Sequence, residues 1–167
     1  MAREDLLEPL KTALQLEIEG RSFFVEAARK VTGQQARRTF EFLAAEEDKH
    51  IEHIRRFYES IEKGDISTPP GLDETDAERN LAAFNERLAE LKDELEPTAT
   101  DIEAYEYALR FENGAEDFYR EKMDEAGIPE VKQFYAWLIG EEELHSKVLE
   151  SCLQFARDPA AWFRDRE

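Results

Sequence analysis

The sequence predicts an all-α fold: a bundle of four long helices built as two repeated helix pairs. Three observations carry this. Only seven glycines and six prolines interrupt 167 residues. Apolar residues recur at steps of three and four through four long segments. A shift of 95 positions then lays Glu17 on Glu112, Phe23 on Phe118, Phe24 on Tyr119, Leu43 on Leu138, Glu46 on Glu141, Glu47 on Glu142, His50 on His145 and Ile54 on Leu149 without a gap. The length suits one domain, here taken as residues 1–167, with repeat halves at about 4–63 and 99–157.

The first helix is expected from about Glu4 to Lys30, with Leu7, Leu10, Leu14, Phe24 and Ala28 on one stripe and Gly33 marking the break. The second runs from about Gln34 to Lys63 and stops at Gly64. Pro69, Pro70 and Gly71 cannot continue it, so a long crossover starts there, at about 64–98. Within the crossover, Leu81, Phe84, Leu88, Leu91 and Leu95 predict a fifth helix over 77–95, ended by Pro97. The third long helix is expected to open near Thr100, which with Glu103 has capping-box spacing, and to reach about Ala126. Pro129 suits the first position of the fourth, which ends near Arg157, before Pro159. Trp162 and Phe163 in the tail are left to fill some groove. The crossover lets the second pair run antiparallel to the first.

Composition narrows the functions. A formal net charge of -18 repels nucleic acid and anionic membranes. No segment has the roughly 18 apolar residues of a membrane helix, and "MAREDLLEPL" lacks a signal pattern, so a cytoplasmic location is expected. The one cysteine, Cys152, is expected in the core and can form neither an internal disulfide nor a Cys-x-x-Cys metal knuckle.

Two polar entries break the stripes. The second helix reads Ala36, Phe40, Leu43, Glu47, His50, Ile54, Phe57, Ile61, and the fourth reads Val131, Tyr135, Leu138, Glu142, His145, Leu149, Cys152, Ala156. Glu17 follows Leu10 and Leu14 on the first stripe, and Glu112 follows Tyr105 and Leu109 on the third. Four glutamates and two histidines therefore converge at mid-bundle. Four unpaired buried carboxylates would cost several kcal/mol each, comparable with the whole stability of a domain. Two divalent cations balance four carboxylates, and mixed oxygen and nitrogen donors suit iron or manganese. Glutamate is roughly one residue in six here, so one Glu-x-x-His proves little. Two of them, each following an in-stripe glutamate by 30 positions, are a pattern.

Several neighbours are assigned other roles. His53, whose counterpart is Val148, is read as a surface or supporting histidine, and Glu46 and Glu141, one position off the stripe, as solvated or supporting groups. Arg21 and Glu116 occupy equivalent positions with opposite charge and are expected to pair near the site. Tyr105, Tyr107, Tyr119 and Tyr135 ride on the ligand-bearing helices, where core packing is the first expectation and hydrogen-bonding a ligand or passing an electron the alternatives.

On "LEIEGRSFF" with "AAEEDKH" and "RFENGAEDFY" with "GEEELH", the chain resembles the rubrerythrin branch of the ferritin-like di-iron carboxylate bundles. Such bundles combine two glutamates with two Glu-x-x-His motifs, the pattern these residues follow. The resemblance implies two iron ions held by Glu17, Glu47, His50, Glu112, Glu142 and His145, with Glu47 and Glu142 or their partners able to bridge. It implies reduction of peroxide or dioxygen, with a ferroxidase or iron-handling role as the alternative. A third reading, from a different class, is a helical interaction module that metal merely staples. Two departures matter. The single cysteine cannot hold a rubredoxin-type iron, so an external donor would supply electrons. The extra glutamate of peroxidase-active rubrerythrins, one turn after the third-helix ligand, is matched here by Ala115. The predicted fifth helix and the aromatic tail offer apolar surface for a homodimer, or pack on their own chain.

Overall fold

The computed structural model describes residues 2–66, 86 and 99–165, and these form the expected all-α bundle. Helix α1 is Arg3–Lys30, α2 Gln34–Glu62, α3 Ala99–Glu125, α4 Pro129–Arg157 and α5 Pro159–Arg164. The expected crossover helix over 77–95 lies outside the described residues, apart from Glu86, which is helical.

Local chemistry sets the ends. In α1 the Asp5 carboxylate accepts from the Ala2 backbone N–H, acidic residues occupy the first turn and Arg29 and Lys30 the last, in keeping with the helix dipole. Pro9 stands inside α1 without ending it. Leu6, Leu7 and Leu10 around it are all buried, so packing holds the turn that proline's missing N–H weakens. Gly64 ends α2 with a φ of 79°, a conformation that favours glycine. Helix α3 already includes Ala99 and Thr100, so Thr100 is not its cap as the sequence suggested.

The residue that matters in that first turn is Asp101. It is buried, and one oxygen lies 3.2 Å from the Thr32 N–H nitrogen and 3.4 Å from that of Gly33, clamping the α1–α2 loop. Gly33 has an ordinary φ of -75°, so the demand is for space rather than conformation: a Cβ there would lie 2.5 Å from Asp101 Oδ2.

Helix α1 packs chiefly on α2, and α3 on α4. Two apolar clusters run across all four. One contains Leu10, Ile54, Phe57, Ala115, Tyr119, Phe134 and Leu138; the other contains Phe24, Phe40, Leu43, Tyr105, Leu149 and Cys152. Helices α1 and α4 pass from the first cluster to the second along the chain, whereas α2 and α3 pass the other way. Hence α3 runs opposite to α1, as expected. Each helix crosses the middle at its polar entries: Glu17, Glu47 with His50, Glu112, and Glu142 with His145.

The tail packs on its own chain. The Asp158 side chain accepts from the Ala161 N–H and Pro159 opens α5. Trp162 is buried between Phe155 and Phe163, and its Nε1–H donates to Ser151 Oγ at 2.8 Å. Trp162 is therefore core, not the exposed apolar surface that the dimer expectation drew on. Cys152 is buried, with its sulfur 3.6 Å from Thr39 Oγ1.

Candidate metal centre

All six predicted residues meet in one place and are almost fully buried, from Glu112, Glu142 and His50 at 1% exposure to His145 at 3%. The i, i+3 spacing puts each Glu-x-x-His pair on one inward face, and antiparallel packing brings the two faces together. The imidazole rings stack, with centroids 4.8 Å apart and planes 15° apart. Ligand atoms of Glu47, His50, Glu142 and His145 all lie within 4.8 Å of one another.

The contacts obey the repeat. His50 Nδ1 is 3.4 Å from Glu47 Oε2 and 3.4 Å from Glu142 Oε1; His145 Nδ1 is 3.2 Å from Glu47 Oε1 and 3.9 Å from Glu142 Oε2. Glu47 and Glu142 thus each turn one oxygen to each histidine. Glu17 Oε2 stands 3.0 Å from His50 Nδ1 alone, and Glu112 Oε1 3.5 Å from His145 Nδ1. Two carboxylates thus face both histidines, and each histidine has one further carboxylate of its own.

Hydrogen bonds do not account for it. Glu47 Oε2, both oxygens of Glu112 and Glu142, and both nitrogens of His145 are buried without a hydrogen-bond partner. The His145–Glu47 pair is close enough at 3.2 Å but misaligned for a hydrogen bond. Native proteins rarely leave so many polar atoms unmatched. A divalent cation takes lone pairs from both partners and removes the charge, so this donor set fits metal ions.

Electrostatics show the strain on the metal-free chain. Burial, reinforced by the charges of Glu17 and Glu112, pushes the Glu47 carboxyl up to about 8. Burial acts against ionised Glu17 too, but hydrogen bonding from Glu47 and the charge and hydrogen bonds of His50 and Tyr119 hold it down at about 2. Burial would also lower both histidines; instead Glu112 and Glu47 raise His145 to about 10, and Glu17 and Glu141 hold His50 well above 6.5. The chain stores protons where cations would otherwise sit.

The surrounding residues follow expectation in part. Tyr119 donates its hydroxyl to Glu17 Oε1. Glu46 and Glu141 are buried rather than solvated: Glu46 takes Lys49 Nζ at 2.7 Å, while Glu141 Oε2 lies 3.3 Å from His50 Nε2. Arg21 and Glu116 do not pair. Arg21 is exposed and bonds Asp48 on α2, and Glu116 takes Arg120 one turn along α3. His53 is half-buried, edge-on to Trp137 at 4.9 Å. Tyr105 and Tyr135 are buried, and Tyr107 is half exposed. Ala115 is buried among apolar side chains. Gly20, one turn after Glu17, lets α1 approach α3: a Cβ there would lie 2.9 Å from Phe111 Cε1 and 3.7 Å from Glu47 Cδ.

Among the described residues, no helix is long and apolar enough to cross a membrane. The model of the protein family described as Rubrerythrin matches residues 8–153, from the first turns of α1 to near the end of α4. No curated protein and no solved structure matches significantly.

Proposed function

We propose, from the premise that this chain belongs to the rubrerythrin family, that Glu17, Glu47, His50, Glu112, Glu142 and His145 hold two iron ions, with manganese as the other fitting metal. The activity is reduction of peroxide or dioxygen, with electrons from an external donor. The observation that supports this best is the placement of Glu47 and Glu142, each with one oxygen toward each histidine. When bound, a ferrous pair supplies two electrons to an oxidant.

The chain's own part is to hold geometry and exclude water. Glu17 and Glu112 would each hold an ion beside one histidine, and Glu47 and Glu142, which face both histidines, would hold the pair together. The apolar clusters above and below shut out solvent and fix the ligands' rotamers. Tyr119 orients Glu17 through its hydroxyl. Burial of the six donors keeps the site's dielectric low, which strengthens every charge interaction within it.

Ala115 favours a second reading, ferroxidase or iron handling, because a buried methyl group stands where peroxidase-active rubrerythrins carry a further carboxylate. The distinguishing experiment is an anaerobic Fe(II) titration of the metal-free protein, followed by rapid mixing with H2O2 or O2 while ferric absorbance is recorded. Two irons per chain oxidised faster by peroxide support the peroxidase. Faster reaction with O2, and continued oxidation of added Fe(II), support the ferroxidase. Metal that raises stability but reacts with neither oxidant leaves only a structural staple. A homodimer belongs to the same proposal; sedimentation as a monomer at micromolar concentration removes it.

A further inference from the structure

The two halves of the centre obey the repeat in their ligands but not in what supports those ligands. Beside Glu17 and His50, two groups are committed. The Tyr119 hydroxyl donates to Glu17 Oε1, and the Glu141 carboxylate faces His50 Nε2 at 3.3 Å. Neither contact has a counterpart in the other half. The repeat equivalent of Tyr119 is Phe24, fully buried and with no hydroxyl to offer Glu112. The equivalent of Glu141 is Glu46, which takes Lys49 instead. Among the described residues, both oxygens of Glu112 and both nitrogens of His145 are left without a hydrogen bond, and they meet only each other and the shared Glu47 and Glu142 as charges.

From this asymmetry, and resting on the two-metal reading above, we infer that the centre fills in sequence: Glu141 and Tyr119 are positioning residues that make the Glu17/His50 half the tight site, and the Glu112/His145 half takes the second, more loosely held ion. A carboxylate on the far nitrogen of a ligating histidine fixes the ring and leaves the near nitrogen free for metal, and such partners are worth roughly 10–100-fold in affinity. Tyr119 restricts the Glu17 rotamer in the same way, so less freedom is lost when the ion arrives. Glu112 and His145 have no such hydrogen-bonded support and rely on packing alone. Glu47 and Glu142 face both halves and so serve the first ion before the second.

The test is a titration of the metal-free chain with Mn(II), followed by calorimetry and electron paramagnetic resonance. The expected result is two steps separated by about tenfold or more. The first equivalent gives the signal of an isolated bound ion, and the second replaces it with that of a coupled pair. Glu141→Leu weakens the first step by about 10–100-fold and brings the steps together, while Glu141→Gln, which keeps an acceptor oxygen, recovers part of the difference. Phe24→Tyr supplies the missing hydroxyl beside Glu112 and tightens the second step, which provides a test should Glu141→Leu fail to fold. A coupled signal from the first addition, or a Glu141→Leu variant that weakens only the second step, overturns the inference while leaving two ions per chain in place. Saturation below two ions per chain overturns the two-metal reading and the inference with it.

Discussion

The metal-free chain should lose stability as pH rises across the range where most proteins are comfortable, and Glu47 is the main reason. Its carboxyl moves from 4.5 to about 8 on folding because it is buried beside Glu17 and Glu112. The folded chain thus holds this proton more tightly than the unfolded one. The Glu47 contribution is complete below pH 4.5 and is lost as pH rises through about 8, a fall of about 5 kcal/mol at roughly 1.4 kcal/mol per tenfold change in proton affinity. His145, moving from 6.5 to about 10, acts in the same direction between those values, and His50, raised beside Glu17 and Glu141, adds to it. Glu17 has the opposite sign: its stabilisation is present above 4.5 and disappears as pH falls to about 2. Glu47 meets ionisable groups from all four helices: Glu17 on α1, His50 on α2, Glu112 on α3, Glu142 and His145 on α4. Urea melts in a chelator at pH 5, 6, 7 and 8 should show a midpoint that falls with pH. In Glu47→Gln, which keeps the shape but cannot ionise, the fall between pH 5 and 6 should vanish and the remainder should begin near 6.5. A wild-type midpoint that is flat or rises from pH 5 to 8, or an unchanged fall in Glu47→Gln, would refute this electrostatic picture.

Other outcomes follow from the same structure. Metal uptake near pH 7 should release about three protons per chain, from Glu47, His50 and His145, and affinity should rise with pH; calorimetry in buffers of different ionisation enthalpy measures the number. Trp162→Ala should cost about 3–5 kcal/mol in a urea melt, since the ring is buried against Phe155 and Phe163 and its N–H is bonded; under about 1 kcal/mol would show that α5 is not part of the core. Asp101→Ala should cost about 1–3 kcal/mol and speed amide exchange at Thr32 and Gly33, whose N–H groups it holds.

The stripes and the gapless repeat make the four long helices and the six converging donors legible in the sequence, because a buried glutamate or histidine interrupts a three-and-four pattern visibly. What periodicity could not reveal lies between helices. Repeat equivalence marks positions related by a two-fold axis, which need not touch, and so it misled for Arg21 and Glu116: a long exposed arginine found Asp48, and Glu116 found its own helix neighbour Arg120. Glu141 lies one residue off its stripe, and only the position of His50 on α2 shows that its carboxylate is used. Asp101 acts on a loop almost 70 residues earlier in the chain, beyond the reach of any local pattern. The tail helix is only six residues long, too short for a stripe, so the burial of Trp162 required the groove to be seen.

Whether these six side chains hold a pair of ions is decided by anomalous diffraction from crystals loaded with iron or manganese. Two peaks per chain are expected, both enclosed by Glu17, Glu47, His50, Glu112, Glu142 and His145, with Glu47 and Glu142 reaching both. A single peak, or peaks at the surface with these six side chains unengaged, would contradict the two-metal centre.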